Sequence, residues 1–287
     1  VLGTLREGIG LASDPLALIN LTQSFQYLPC DHFVVANTEA IQVTDAKQQP
    51  VKLITHTLNL PHTATMKQQF SHYMLKEIHE QPAVLEALIQ QPPLTTLTQP
   101  EYLDIIGCGS SYYAGLLGQY WLQSLANIPS SVRIASEYPN LTPWTPTGST
   151  LLSLSQSGET ADTLLAVRYG LQFPYQQSIT ICNSPHSTLV RLSEHCVPLL
   201  AGSEIGVAST KAYTAQCLRL LSLALQWGPD NPTLHTALQA LPNTLRQLIN
   251  QLDVAAWVTQ LNPYKHCLII GRGLLYPTAL EGALKLK

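Results

Sequence analysis

The spacing of apolar and polar residues changes character along the chain. Within residues 1–57, short runs alternate between apolar and polar positions. Such period-two alternation indicates β-strands with one buried face. The runs lie at residues 25–28, 32–36, 40–44 and 51–54. Ser13-Asp14-Pro15, followed by residues 16–21, indicates a short capped helix within this β-rich segment.

Residues 58–99 show helical spacing instead. Phe70, Met74 and Ile78 recur every four residues, which places them on one face of a helix. Because proline has no backbone N–H for the helix ladder, we expect this helix to end near Pro82. A second helix is predicted over residues 83–90.

From residue 100 onward, apolar runs of strand length alternate with helical patterns. The runs lie at residues 102–107, 131–135, 150–154, 178–182 and 197–201. This alternation predicts an α/β fold with a doubly wound parallel sheet flanked by helices, preceded by the β-rich segment. In such a sheet, ligands bind at the carboxyl ends of the strands.

The last part of the chain repeats an earlier pattern. Residues 233–262 have helical leucine spacing, and an apolar run at 267–270 predicts a further strand. The sequence I-I-G-x-G-x-x-Y occurs at residues 105–112 and again at 269–276. This internal repeat predicts that a second α/β domain starts near residue 262. Both ends of the chain look cut, so we expect it to be a fragment.

The turn at residues 155–160 carries a dense group of hydrogen-bond donors. Its sequence, S-Q-S-G-E-T, lies between a predicted buried strand and a predicted helix N-terminus, where free N–H groups attract anions. We expect a phosphate site without lysine or arginine. The neutral donors are Ser155, Gln156, Ser157 and Thr160. A plain helix cap is the alternative, and for this turn taken alone it is favoured.

Two other loops rich in glycine and serine follow strands of the same predicted sheet. Ser110 and Ser111 follow one strand, and Val207-Ala208-Ser209 follow another. If these loops face the turn at 155–160 across the strand ends, they form a pocket for a small sugar phosphate. Gly107-x-Gly109 is similar to a dinucleotide-binding fingerprint but lacks its third glycine, so a nicotinamide enzyme is the least favoured interpretation.

Composition narrows the classes of function. Hydrophobic residues make up 45% of the 287 residues and charged residues 11%, which supports a sizeable core. A net charge of −3 without a basic block argues against nucleic acid as the main partner. No apolar run approaches the length of a membrane span. The six scattered cysteines are expected to be reduced thiols in the cytoplasm.

Two further groups of polar residues favour structural interpretations when taken alone. His62, His72 and His79 lack the ligand spacing of a metal site, so we expect surface histidines, no metal and no cofactor. Glu281 and Lys285 are spaced i, i+4 on the last predicted helix. From spacing alone, a surface ion pair is favoured.

Four motifs together resemble the glutamine–fructose-6-phosphate aminotransferase (isomerising) family, also called glucosamine-6-phosphate synthase. They are I-G-C-G-S-S at 106–111, L-S-Q-S-G-E-T-A-D-T at 154–163, E-I-G-V-A-S-T-K-A at 204–212 and L-E-G-A-L-K-L-K at 280–287. The resemblance extends over the whole chain. It implies the end of a glutaminase domain at 1–57, a linker with helices at 58–99, a first sugar isomerase (SIS) domain at 100–240, and a connecting helix with the start of a second SIS domain at 241–287.

The resemblance implies a specific chemistry. In this family, ammonia released from glutamine is channelled to fructose 6-phosphate, and the product is isomerised to glucosamine 6-phosphate without a metal. Residues implied to bind the phosphate are Ser155, Gln156, Ser157 and Thr160, with Ser111 nearby. Those implied to line the sugar are Cys108, Gly109, Val207 and Ser209, and the wider substrate-binding set also includes Ser110 and Ala208. Glu281 and Lys285 are implied to lie in the proton-transfer region, as auxiliary catalytic residues.

The chain also departs from the family pattern. The amino-terminal catalytic cysteine is absent, and so are the glutamate base expected directly after Lys287 and the later histidine and Schiff-base lysine. We therefore expect this chain to bind sugar phosphate without full activity, and the resemblance implies a homodimer. The alternatives are a sugar-phosphate-sensing SIS regulatory module and a simple phosphosugar isomerase. The β-rich residues 1–57 argue against both.

Overall fold

The chain folds into two units, Val1–Ser71 and His72–Lys287. The structure, a computed structural model, describes residues 1–6, 8–29, 31–37, 41–58, 65–94 and 96–287. No helix among these residues is both long enough and apolar enough to cross a membrane.

Antiparallel strands make up the first unit. Their bounds are β1 (Leu2–Leu5), β2 (Gly8–Leu11), β3 (Ser24–Gln26), β4 (Phe33–Ala36), β5 (Ile41–Thr44) and β6 (Thr55–Thr57). One sheet has the order β2-β1-β3-β6, and β4 pairs with β5. Ile19 and Phe25 are buried in the core of this unit. Asp14 caps a 3-10 turn (Pro15–Ala17) by accepting a hydrogen bond from the Leu16 N–H at 2.8 Å.

The prediction of a β-rich first segment is confirmed, but two details differ. Residues 51–54 lie outside the strands: β3 pairs with residues 55–57, and the Val51 N–H donates to the Val43 carbonyl at 2.8 Å without continuing the β4–β5 ladder. The apolar pattern also fails to predict β1 and β2, since Gly3 and Gly10 interrupt it. Both glycines lie against Leu18, whose side chain is 2.9 to 3.1 Å from where a Cβ would be. Only glycine leaves room there for Leu18.

Five parallel strands form the sheet of the second unit. Their bounds are β7 (Tyr102–Gly107), β8 (Ser130–Ile134), β9 (Ser149–Ser155), β10 (Gln177–Cys182) and β11 (His195–Pro198). Their order across the sheet is β8-β7-β9-β10-β11. The predicted α/β fold with a doubly wound parallel sheet is confirmed. The direction of winding reverses between β7 and β9, and a ligand crevice is expected outside the carboxyl ends of these strands.

Helices cover both faces of this sheet. The helices of the second unit are α1 (Tyr73–Ile89), α2 (Ser110–Leu125), α3 (Ala161–Gly170), α4 (Thr188–Leu192), α5 (Lys211–Trp227), α6 (Pro232–Gln251), α7 (Val254–Leu261) and α8 (Leu275–Leu286), and the first five supply residues to the cores on the two faces of the sheet. Ile105 and Leu152 belong to a core cluster with residues of α1, α2 and α5. Ile106 and Leu151 belong to a second cluster with residues of α3 and α4. Neighbouring residues of β7 and β9 therefore point into opposite cores, as the pleat requires.

One continuous helix, α1, replaces the two helices predicted around Pro82, which lies in its interior. Proline leaves the carbonyl of Ile78 without its ladder partner, and that oxygen accepts a hydrogen bond from the Gln81 side-chain amide at 3.2 Å. The turns after Pro82 bury Val84 and Leu85 in the core. This compensation and burial outweigh the lost backbone hydrogen bond, so the helix continues.

The C-terminal part differs from the prediction in two places. The helix predicted over 233–262 is divided into α6 and α7, because Asp253 accepts a hydrogen bond from the Ala256 N–H at 3.0 Å and starts a new helix. The predicted strand at 267–270 joins no sheet within the described part of the chain. An apolar run becomes a strand only where a neighbouring strand satisfies its N–H and C=O groups.

The repeated I-I-G-x-G-x-x-Y motif has a similar backbone at both sites. Gly109 and Gly273 have positive φ angles of 54° and 60°. A Cβ on Gly107 or Gly271 would meet the backbone of the residue four positions later. The motifs lead into α2 and α8, and these two helices pack against each other. A second α/β domain near residue 262 stays a prediction.

Candidate functional site

Three loops of the second unit line one cleft of about 400 Å³ at the carboxyl ends of its strands. They are the β7–α2 loop, taken with its flanking residues as 107–111, the β9–α3 loop, taken from the last residue of β9 as 155–160, and the later part of the β11–α5 loop, 202–210. The lining residues are Cys108, Gly109, Ser110, Ser111, Leu154, Ser155, Gln156, Ser157, Thr160, Thr163, Val207, Ala208, Ser209, Leu284 and Lys285. The structure therefore brings together every residue predicted to bind substrate. Leu154, Thr163 and Leu284 are lining residues that the sequence analysis does not single out.

The β9–α3 loop directs hydroxyl donors towards the cleft. Gly158 has a φ of 68° and turns the chain back, so that its N–H donates to Ser155 Oγ at 2.9 Å. The N–H of Glu159 likewise donates to Ser157 Oγ at 3.1 Å. Because both hydroxyl oxygens accept from the backbone, their hydrogens are available to a ligand. The Glu159 carboxylate faces α4 and accepts the Thr188 N–H at 2.7 Å.

The N-terminus of α3 is uncapped by side chains within the described structure. Thr160 is the N-cap residue, with an extended backbone, but its hydroxyl accepts none of the first-turn N–H groups. This geometry disagrees with the helix-cap alternative. The free N–H groups and the positive end of the helix dipole attract an anion. Asp162 lies in the first turn, but it is exposed and does not line the cleft.

The β7–α2 loop is held by contacts from neighbouring helices. Ser111 Oγ accepts a hydrogen bond from Gln216 Nε2 of α5 at 3.0 Å, and Gln216 is buried. Thr163 of α3 donates to the Cys108 thiol at 3.8 Å. These contacts fix two lining residues, Cys108 and Ser111, and leave the Ser111 hydrogen available to the cleft.

A carboxylate already occupies the helix start beyond the β11–α5 loop. Glu204 accepts hydrogen bonds from the N–H groups of Thr210 at 2.8 Å and Ala212 at 3.2 Å. Its other oxygen accepts from the Ser209 hydroxyl at 2.9 Å. The N-terminus of α5 is thus neutralised by the chain itself. A bound anion is expected at α3 rather than at α5.

A second carboxylate, that of Glu77 on α1, holds the same loop from outside. Glu77 is 2% exposed and accepts the Ile205 N–H at 2.6 Å and the Gly206 N–H at 3.0 Å. Neighbouring Glu80 forms ion pairs with Lys211 and Lys76. The sequence analysis does not single out Glu77. The sequence does carry one signal for its burial. Glu77 lies three residues after Met74, which is on the apolar face of the helix, so its side chain is expected to face the core.

The Glu281–Lys285 pair is largely buried, so the surface ion pair favoured by spacing alone is wrong. Glu281 is 5% exposed, and its carboxylate lies 3.0 Å from Lys285 Nζ. The same ammonium donates to Ser110 Oγ at 2.9 Å. Among the described residues that line the cleft, Lys285 alone carries a charged side chain. Lys285 therefore brings a positive charge to the cleft lining, and the buried carboxylate of Glu281 lies next to its ammonium.

Glu281 is buried beside Tyr213 and Cys217. Its oxygens accept no well-directed hydrogen bond from any residue that the structure describes. Burial, with a smaller contribution from the charge of Glu281, raises the pKa of the nearby Cys217 thiol to about 12. Burial also raises the pKa of Tyr213. Both neighbours are therefore neutral at physiological pH, and Lys285 is the ion that balances Glu281.

Histidines and cysteines form no metal centre in the described part of the chain. No cluster of three or more His, Cys, Asp or Glu residues suited to a metal occurs there. His72 and His79 are exposed, while His62 and Cys30 lie outside the described residues. The described cysteines are free thiols, namely Cys108, Cys182, Cys196, Cys217 and Cys267.

Comparisons with known proteins match both units of the chain. The SIS domain model matches residues 96–226. The chain is 39% identical to glutamine–fructose-6-phosphate aminotransferase (isomerizing) of Idiomarina loihiensis, over 98% of this chain and 50% of that protein. It is 40% identical to the enzyme of the same name from Vibrio cholerae, with the same coverage of both chains. The chain thus spans about half the length of the curated relatives it matches.

Solved structures give the same picture. The C-terminal domain of glucosamine-fructose-6-phosphate aminotransferase from Francisella tularensis matches with a TM-score of 0.69 and 37% identity, over 77% of this chain and 69% of that one. Tagatose-6-phosphate ketose/aldose isomerase from Escherichia coli matches with a TM-score of 0.62 and 20% identity, over 75% of this chain and 63% of that one. At that lower identity, the second match shows a shared fold alone.

Proposed function

The chain belongs to the glutamine–fructose-6-phosphate aminotransferase (isomerizing) family, and on this premise we propose that its cleft binds fructose 6-phosphate and glucosamine 6-phosphate. The whole protein then transfers an amino group from glutamine to fructose 6-phosphate and isomerises the product. The names of the relatives support this reaction. Dimerisation and a cytoplasmic location stay predictions.

The uncapped N-terminus of α3 carries the proposal. It opens onto the cleft beside Ser155 and Ser157, whose hydroxyl hydrogens are not used within the loop. Gln156 and Thr160 also line this end of the cleft. A phosphate held here receives only neutral donors and the helix dipole, which suits an anion that must be released after each turnover.

The sugar lies against the other two loops in this proposal. Cys108 and Gly109 line one side, and Val207, Ala208 and Ser209 line the other. The Ser209 hydroxyl donates to Glu204, so its oxygen is positioned to accept from a sugar hydroxyl. The wall from β11–α5 is therefore suited to an uncharged polyol and not to a second anion.

Lys285 is the proposed auxiliary residue for proton handling. Isomerising a ketose phosphate moves a proton between neighbouring carbons, and a cation beside the reacting oxygen stabilises the charge that develops. Lys285 reaches the cleft, and Glu281 holds its ammonium from behind. Glu281 is assigned a positioning role, because it does not itself line the cleft.

Thermal unfolding with and without ligand tests the proposal. Fructose 6-phosphate and glucosamine 6-phosphate are expected to raise the midpoint of the 287-residue chain, since ligand at a hundredfold excess over Kd stabilises by about 2.7 kcal/mol. Fructose, which lacks the phosphate, is expected to give a much smaller rise. In Ser157→Ala, the Kd for fructose 6-phosphate is expected to increase roughly tenfold, because a hydrogen bond to a charged group is lost.

Ser124→Ala provides the matched control. Ser124 is exposed on α2 and its hydroxyl donates to the Tyr120 carbonyl, away from the cleft lining. Its Kd for fructose 6-phosphate should equal that of the parent chain. Equal stabilisation by fructose and fructose 6-phosphate, or an unchanged Kd in Ser157→Ala, contradicts the proposed phosphate site.

A further inference from the structure

Three side chains hold the β11–α5 loop. Asn183, directly after β10, donates to the Gly202 carbonyl at 2.6 Å and accepts the Ala201 N–H at 2.9 Å, and two carboxylates hold the rest of the loop. Twelve residues separate the end of β11 at Pro198 from the start of α5 at Lys211. Within this segment, Val207 is fully exposed and lines the cleft, so packing of its own side chain does not fix its place. The position of the wall depends on groups that hold its backbone.

Glu204 organises the C-terminal half of this segment from inside. Its three hydrogen bonds go to Ser209, Thr210 and Ala212, all within eight residues of it in sequence. These bonds shape the loop and start α5. All three bonds engage residues on the C-terminal side of the loop tip, including Ala212 in the first turn of α5, so the backbone of Ile205 and Gly206 at the tip is held by another group.

Glu77 links the tip of the loop to α1. Its carboxylate binds the N–H groups of Ile205 and Gly206, the two residues directly before the exposed Val207. Glu77 is almost completely buried and stands on α1, a helix of 17 residues that packs against α5 and α6. A Cβ on Gly206 would lie 2.5 Å from Glu77 Oε2, so the backbone and the carboxylate are in direct contact.

We propose that Glu77 is a positioning residue that determines where Val207, Ala208 and Ser209 lie in the cleft. Through this position it determines the preference of the cleft for a sugar phosphate over inorganic phosphate. The inference rests on the proposed function. The hydrogen bonds of Glu77 go to Ile205 and Gly206 of the β11–α5 loop, so we assign its effect to the sugar side of the cleft. Inorganic phosphate needs only the β9–α3 loop and the N-terminus of α3.

Two variants open this contact from opposite sides. Glu77→Gln keeps the side-chain shape but replaces the charge, and its amide places a donor near the Gly206 N–H. Gly206→Ala keeps Glu77 and pushes the loop away from it with a methyl group at a partly exposed position. Glu86→Gln is the control, since Glu86 lies exposed on the same helix, where it pairs with Arg246.

Calorimetric titrations with fructose 6-phosphate and with inorganic phosphate give the test. In Glu77→Gln and Gly206→Ala, the Kd for fructose 6-phosphate is expected to rise roughly tenfold, corresponding to the loss of a charge-assisted hydrogen bond. The Kd for inorganic phosphate should stay within about twofold of the parent value, because its site is not touched. Glu86→Gln should change neither Kd.

A merely structural role for Glu77 predicts a different result. Partial unfolding would raise the Kd for fructose 6-phosphate and the Kd for inorganic phosphate by the same factor, and that outcome overturns the proposal. An unchanged Kd for fructose 6-phosphate in both variants also overturns it. If the parent chain binds fructose 6-phosphate and the variants bind it equally well, the proposed function stands and only the role of Glu77 fails. If the parent binds no fructose 6-phosphate, the proposed function and this inference fail together.

Discussion

The β9–α3 loop and the β11–α5 loop hold the same place in the fold, yet they offer different chemistry to the cleft. Each follows the carboxyl end of a parallel strand and precedes the N-terminus of a helix. At α3 that N-terminus is uncapped, and the nearby Glu159 turns to α4 instead. At α5 it is occupied by Glu204. Topology makes both loops candidates for an anion, and one carboxylate decides between them.

The direction of the hydroxyl groups separates the two loops further. Ser155 and Ser157 accept hydrogen bonds from backbone N–H groups, so they can donate to a ligand. Ser209 donates to Glu204, so its oxygen accepts. The first arrangement matches a phosphate, and the second matches a sugar hydroxyl. A serine in a loop is therefore informative only together with the partner that orients it.

The comparison with the largest expected effect uses the one glycine of positive φ in each loop. Gly158 and Gly202 both have positive φ, at 68° and 66°. A Cβ on Gly158 would overlap the Ser187 side chain, while a Cβ on Gly202 would meet only Lys211 Nζ at 3.9 Å. Gly158→Ala is expected to lower the free energy of unfolding by about 3 kcal/mol, from backbone strain plus overpacking, and Gly202→Ala by about 1 kcal/mol.

Urea unfolding followed by tryptophan fluorescence measures this difference. The four tryptophans, Trp121, Trp144, Trp227 and Trp257, all belong to the second unit, so the signal reports on the domain that carries both loops. A smaller loss of stability in Gly158→Ala than in Gly202→Ala would show that Ser187 and its neighbours rearrange to accommodate the added methyl group. The tight turn would then not be a rigid part of the phosphate site.

The parts of the site that the sequence predicts are those formed by neighbouring residues. The donors of the β9–α3 loop lie within one turn, so their joint role can be inferred from the sequence. Glu77 is separated from Ile205 by 128 positions. No local pattern relates two such distant residues, and only the packing of α1 against α5 brings them together.

Errors of the secondary-structure prediction have the same origin. Pro82 predicts a helix end, but the Gln81 amide satisfies the carbonyl that proline leaves free. The run at 267–270 predicts a strand, but strand formation requires a partner that a local pattern does not contain. The ion-pair spacing of Glu281 and Lys285 is read correctly, yet burial of Glu281 depends on neighbours such as Tyr213 and Cys217.

Replacing Ser157 of the β9–α3 loop and Ser209 of the β11–α5 loop separates phosphate binding from sugar binding. The expected changes are smaller than those of the glycine variants. Ser157→Ala removes a donor to the phosphate. The Kd values for inorganic phosphate and for fructose 6-phosphate are each expected to rise roughly tenfold. Ser209→Ala removes an acceptor for a sugar hydroxyl, and the Kd for fructose 6-phosphate should rise about threefold to fivefold with no change for inorganic phosphate. Calorimetry with both ligands checks this, and a parallel loss of phosphate affinity in Ser209→Ala contradicts the assignment.

Alkaline pH is expected to destabilise β11 and α5, the two elements that flank the β11–α5 loop, and this is the smallest of the expected effects. Burial raises the pKa of Cys196 on β11 to about 11 and that of Cys217 on α5 to about 12, from an ordinary value of 9.0. A raised pKa means that the unfolded chain loses these protons first, so the stabilisation is complete below pH 9 and is lost as the pH rises through about 11 to 12. The thermal midpoint should therefore fall between pH 9 and 10, where tyrosines contribute less.

Two cysteine variants test this origin of the pH dependence. Cys217→Ala should flatten the fall of the thermal midpoint, whereas Cys267→Ala, at an exposed position, should not. If the slope in Cys217→Ala equals that of the parent, this thiol does not couple the stability of α5 to pH.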